Sequence, residues 1–176
     1  NPSNPIIVDP YIHSPKKLND KWKKILAREK SVIIGINWQG DPNTEKSYLK
    51  GRSIPLKYFS ELREGNDFKF LSLQKGFGSE QLENCSFKDS FVSCQDEVNQ
   101  NWDFHETAAI ISNCDLIITS DTSVAHLAAG IGKPTWCLLH SVPDWRWGPE
   151  GEETFWYPSL RLFRQIEKDN WSKVID

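Results

Sequence analysis

Methionine is missing altogether from the 176 residues, the first position included, so the chain is expected to be part of something longer. No apolar run is long enough to span a bilayer, and the opening NPSNPIIVDP has neither the charged nor the apolar region of a signal peptide. A soluble, cytoplasmic protein is the expectation. Cysteine is sparse: Cys85, Cys94, Cys114 and Cys137 are widely spaced, with no C-x-x-C pair, which leaves buried reduced thiols rather than zinc or redox work. Positive charge is not in excess, with 21 Lys and Arg against 24 Asp and Glu and a net charge of -3, so no nucleic-acid polymer is implied. A mononucleotide stays open. The chain also lacks G-x-G-x-x-G, a Walker loop, H-E-x-x-H and G-x-S-x-G, which removes support from ordinary dinucleotide, ATPase, zinc-protease and serine-hydrolase readings. No D-x-D spacing occurs, so neither a metal ion nor another cofactor is implied.

What is present in excess is tryptophan: Trp22, Trp38, Trp102, Trp136, Trp145, Trp147, Trp156 and Trp171. Aromatic packing or ligand stacking must then carry much of the structure. The first dozen residues, rich in Pro and Asn, read as a strap. SPKKLNDKWKKILAREK follows as a helix starting at Ser14 and Pro15, with Leu18, Trp22, Ile25 and Leu26 on one stripe. SVIIGINW, FKFLSLQKG, DLIITS and PTWCLLH read as buried strands, and SFVSCQ as a weaker one. PLKYFSELRE and DFHETAAIISNC read as helices, the latter with Asp103 as N-cap, Glu106 three residues on, and Phe104, Ala108 and Ile111 inward. GSEQLEN reads as a short helical turn. The tail, FWYPSLRLFRQ and NWSKVID, is expected to be irregular structure and a short helix. Strands alternating with helices predict an α/β fold, an open doubly wound parallel sheet of Rossmann-like type.

In such a sheet ligands bind beyond the carboxyl ends of the strands, and the residues there are polar. They include Asn37, Trp38, Gln39 and Gly40; Gln74, Lys75 and Gly76; Asp121, Thr122 and Ser123; and His140 and Ser141. In SDTSVAHLAAG a helix begins near Thr122, where free N–H groups and the helix dipole favour an anion such as phosphate. Hydroxyls of Thr122 and Ser123 add donors, and His126 lies on the same side of the helix. Taken singly, Asp121 could be a cap and His126 a core histidine. Arg52 could clamp a phosphate or lie on the surface. Trp145 or Trp147 in the stiff PDWRWG loop could stack on a ring or pack beneath the tail, and Trp38 is a further stacking candidate.

The stretches GINWQGDPNTEKSYLKGRSIPLKYF, FLSLQKGFGSEQL, DFHETAAIISNCDLIITSDTSVAHLAAGIGKPTWCLL and PDWRWGPEGEETFWYPSLRLFRQ together resemble the carboxy-terminal half of bacterial heptosyltransferase-like glycosyltransferases, especially those attached to tetratricopeptide repeats. The resemblance runs from about Val32 to Asp176. It implies one lobe of a GT-B architecture, the lobe that holds the nucleotide-sugar donor, with residues 1–30 as interlobe strap and helix and 31–176 as the nucleotide-sugar-binding domain. By the same resemblance, Asp121, Thr122, Ser123 and His126 match the donor motif that receives the diphosphate, its acidic residue facing the sugar. Gln39 and Arg52, with Gly40 beside them, match the loop near the phosphates, and Gln74 and Lys75 the segment near the nucleoside. The motif usually has glycine where this chain has Ser123, which adds a hydroxyl beside the phosphate. The acceptor lobe, which carries the usual base, would precede this chain; the acceptor itself stays unassigned, and the lobe alone is expected to bind without transferring. A non-catalytic nucleotide-binding or scaffolding module is the alternative. An epimerase-like enzyme would need a carboxylate pair that has no evident place.

Overall fold

The computed structural model describes residues 9–47, 50–63 and 67–175, with only the backbone of Ser47. Five strands, β1 (Val32–Asn37), β2 (Phe68–Ser72), β3 (Leu116–Ser120), β4 (Thr135–Leu139) and β5 (Leu160–Arg164), form one sheet in the order β2-β1-β3-β4-β5. Every neighbouring pair is parallel. The α-helices are α1 (Lys16–Leu26), α2 (Pro42–Ser47), α3 (Gln95–Asn99), α4 (Phe104–Ser112), α5 (Ser123–Ile131) and α6 (Ser172–Ile175). No helix among the described residues is long and apolar enough to cross a membrane.

Alternation along the strands builds a core on each face. Ile33, Leu71 and Ile117 pack with Trp22, Leu26, Ile110 and Ala128 from α1, α4 and α5. Their neighbours Ile34, Phe70 and Ile118 point the other way, to Phe59, Phe87 and Trp171. The anchor of α1 on α4 is polar as well as apolar. Glu106 is expected to reach back to its own N-cap, but only half of that capping box forms: Asp103 accepts the Glu106 N–H at 2.8 Å, while the Glu106 carboxylate goes to Trp22 Nε1 and, at 2.8 Å, to Lys21 Nζ. Ahead of α1, the N–H groups of Tyr11 and Ile12 both donate to Gly130 O at 3.0 Å, laying the strap over the end of α5. The start of the strap, residues 1–8, lies outside the described residues. Gly132, with φ 83°, supplies the left-handed residue that ends α5.

Three expectations need correction. The SFVSCQ stretch is no strand: Phe91 makes a single bridge to Phe70, and the Gln95 side chain then occupies the edge of β2, accepting from Ser72 N at 2.8 Å and donating to Ser72 O at 3.1 Å. A side chain there does the work of the missing strand. The tail is not merely irregular, because LRLFR forms β5, with Leu160 and Leu162 buried against β4. PLKYFSELRE forms a 3₁₀ helix over Leu56–Arg63 rather than an α-helix. Its apolar Leu56, Phe59 and Leu62 recur every third residue, which a three-residue turn aligns on one face.

Candidate functional site

The strand order places a topological switch between β1 and β3: the chain leaves β1 toward β2 and leaves β3 toward β4, so a crevice opens between the two loops. Asn37, the last residue of β1, sits at its floor. Its Nδ2 donates to Gln74 Oε1 at 2.9 Å, and its Oδ1 accepts from Thr122 Oγ1 at 2.8 Å and from Thr119 Oγ1 at 3.3 Å. The hydroxyl of Thr122 is therefore spent on the sheet, and Thr122 makes no side-chain capping bond although it is the N-cap of α5. The Ala125 amide turns back to Thr122 O at 3.1 Å, which leaves those of Ser123 and Val124 to solvent or to a ligand, with Ser123 exposed.

Gln74 ties the loop after β2 to the loop after β1. Its Oε1 accepts from Asn37 Nδ2, Trp38 N (3.1 Å) and Gln39 N (2.9 Å), and its Nε2 donates to Gln39 O (3.0 Å) and Phe77 O (2.7 Å). No donor or acceptor capacity is left over for a ligand. Arg52, itself buried, reaches the chain just before α5, donating from Nη1 to Asp121 O at 3.0 Å, and pairs through Nε with Glu45 at 3.5 Å. Gly40 lies directly on this guanidinium, and a β-carbon there would collide with it.

Gln39, Gly40, Arg52, Gln74, Lys75, Thr122 and Ser123 line one cleft of about 420 Å³. A second hollow of about 410 Å³ adjoins it, sharing Gln74, Lys75 and Trp102 and continuing to Gln95 and Asn99. Lys75 stands at the junction, with Nζ 2.5 Å from Val98 O, and burial pushes its pKa down to about 8. Asp121 and His126 do not line the cleft. Asp121 is buried behind Arg52, and its Oδ2 has no partner. His126, in the second turn of α5, is held by the later part of the chain: Trp147 stacks on its ring and Nδ1 is 3.0 Å from Tyr157 Oη. Burial pushes its pKa down, partly opposed by Asp121.

The stacking candidates fare differently from expectation. Trp38 is fully buried, its Nε1 donating to Gly78 O at 3.1 Å, and Trp147 is buried with Tyr157 and Leu160, so both serve the core rather than the cleft. Trp145 is exposed on a 3₁₀ turn (Trp145–Trp147) outside the cleft. The aromatic rim comes instead from Phe77, Trp102 and Phe104, 58%, 70% and 63% exposed. Sequence reasoning assigned Phe104 to the buried face of its helix and gave Trp102 no role. A Trp directly before the N-cap Asp103 was the available signal, since such a residue stands outside the helix stripe.

Polar atoms without partners gather near the carboxyl ends of β3, β4 and β5: Ser120 Oγ, Asp121 Oδ2, His140 Nδ1 and Gln165 Nε2. Burial pushes the His140 pKa down, while Asp121 and Glu45 pull it up. Among the described residues, no group of three or more His, Cys, Asp or Glu could hold a metal ion.

Residues 83–157, which carry α3 to β4 and the cleft's α5 wall, match the model of Glycosyltransferase family 9 (heptosyltransferase). Two solved structures share the fold. The glycosyl transferase family 9 from Veillonella parvula DSM 2008 superposes with a TM-score of 0.58 at 15% identity, over 89% of this chain and 42% of that one. The E. coli ADP-heptose lps heptosyltransferase II superposes with a TM-score of 0.63 at 13% identity, over 92% of this chain and 47% of that one. The chain thus spans less than half the length of either structure. No match to a curated protein was found.

Proposed function

We propose that this chain is the donor-binding lobe of a two-lobed GT-B glycosyltransferase, and that the β1/β3 crevice holds the diphosphate of a nucleotide-sugar. The observation that carries this reading is the meeting of two anion-suited groups in one cleft. The uncapped start of α5 and the Arg52 guanidinium both line the crevice, and Arg52 is tied to the chain just before that helix by its bond to Asp121 O. Both suit an anion, the helix end through its N–H groups and dipole, the arginine through its fork of donors. The family match over the α5 wall and the fold likeness to two glycosyltransferase-type structures support the same reading. The rim of Phe77, Trp102 and Phe104 offers aromatic faces for a nucleobase, and Lys75 a cation between the two hollows.

In such an enzyme these groups would stabilise the departing nucleoside diphosphate without a metal. The acceptor and its base would be held by the part of the enzyme outside this lobe. Positioning the reactants supplies a large share of the lowered barrier, so the lobe by itself would bind without transferring. Thermal unfolding with UDP, GDP, ADP and the matching nucleosides tests the site. Diphosphates should raise the melting temperature and nucleosides should do so far less, because only a ligand bound to the native state shifts it. Equal shifts would count against the diphosphate site.

A further inference from the structure

The two ring nitrogens of His126 have different surroundings. Its ring lies nearly parallel to the Trp147 indole, centroids 5.1 Å apart at 19°, and meets the Tyr157 ring edge-on at 5.7 Å. Held on two sides, the imidazole has little freedom to turn. Nδ1 is engaged by Tyr157 Oη at 3.0 Å, whereas Nε2 has no hydrogen-bond partner among the described residues and is not sealed from solvent. The Tyr157 hydroxyl has a second neighbour, Tyr11 Oη from the strap, but at 3.5 Å. A phenol has one hydrogen to give, and the shorter contact is the better use of it.

We propose that Tyr157 is a positioning residue: its hydroxyl donates to His126 Nδ1 and thereby fixes the imidazole as the neutral Nε2–H tautomer. The hydrogen bond made by one imidazole nitrogen decides what the other carries. The surroundings agree. Burial holds the Tyr157 phenol protonated and pushes His126 toward its neutral form. The charged groups facing the ring are Asp121 at the entry to α5 and Asp144 and Arg146 on the neighbouring turn; the acids favour the imidazolium and the arginine opposes it. The outcome is an N–H donor in the first turn and a half of α5, next to the helix end assigned above to a diphosphate. The use of that donor rests on the diphosphate reading; its existence does not.

The decisive experiment records long-range nitrogen–proton NMR correlations of the imidazole rings in the 176-residue chain, across a pH series, for the native protein, Tyr157→Phe and Tyr11→Phe. The native spectrum should show Nε2–H for His126. Tyr157→Phe should mix the tautomers and raise the protonation midpoint by about half to one pH unit, since the bond that favoured the neutral ring is gone. Tyr11→Phe should change neither. A native Nδ1–H tautomer, or a Tyr157→Phe spectrum identical to the native one, would overturn the assignment. Titration with ADP, GDP and UDP gives the second readout: affinity should fall about three- to tenfold in Tyr157→Phe. If no diphosphate binds even the native protein, the proposed function fails, while the tautomer still decides the role of Tyr157.

Discussion

Replacing Gln74 by leucine removes the clamp between the β1 and β2 loops while nearly keeping the side chain's volume. Five hydrogen bonds disappear, and the groups they leave differ in what they can recover. Gln39 and Phe77 border the cleft, so their backbone groups can turn to water. Asn37 Nδ2 and Trp38 N are in buried contacts and cannot. An unsatisfied buried donor costs roughly 1–3 kcal/mol. Two of them put the loss at about 2–6 kcal/mol, or roughly 5–20 °C in melting temperature for a domain of this length. Urea unfolding should show a lower midpoint with an unchanged slope. Gln74→Glu separates the two halves of the clamp: the carboxylate can still accept from Asn37, Trp38 and Gln39, but it opposes the carbonyls of Gln39 and Phe77. Its folded pKa should therefore be raised, so the variant should gain stability as pH falls and the carboxyl regains a hydrogen to donate. A leucine variant destabilised by less than about 1 kcal/mol, with the loops unmoved, would refute the reasoning.

Trp102→Ala should leave stability within about 0.5 kcal/mol, because the ring is mostly exposed. Calorimetry should nevertheless show nucleoside diphosphate affinity falling roughly tenfold, the usual worth of a base-stacking ring. Lys75, whose pKa is lowered to about 8, binds a proton less readily folded than unfolded, so its burial destabilises the fold at pH 7. Stability measured by urea unfolding should therefore gain a component that rises between about pH 8 and pH 10, and Lys75→Met should remove it. Gly40→Ala should displace the Arg52 guanidinium and weaken diphosphate binding more than it weakens folding, which titration and thermal unfolding together would show.

How far the structure was legible depended on whether each element declared itself locally. The runs VIIGIN, FKFLS, LIITS and TWCLL are short, apolar and bounded by polar loops, and all became parallel strands. Convergence of the loops after them followed from the fold class, and it brings residues as distant as Gln39, Arg52 and Ser123 to one cleft. β5 escaped notice because no full helix separates it from β4, although the alternation in LRLFR was visible. The edge of β2 was misread because a glutamine side chain can imitate a strand's hydrogen bonds, and no periodicity reveals that. Tryptophans were hard to sort for a related reason. Trp38 and Trp147 sit among polar loop residues in sequence, yet each folds its ring beneath its loop, while Trp102 stays outside. Nor could spacing show that Gln74 would spend every polar atom on the protein itself.

Backbone amide and indole NMR mapping of a bound nucleoside diphosphate tests the proposed site most directly. Addition of ADP, GDP or UDP should shift the amides of Ser123 and Val124 at the start of α5, that of Gly40 beside Arg52, and the Trp102 indole at the rim. The β-phosphate should be needed for the first three, so the monophosphate should shift them less and the nucleoside least. No perturbation at any concentration, or perturbations confined to the hollow lined by His140, Gln165 and Lys168, would contradict a diphosphate site at the β1/β3 crevice.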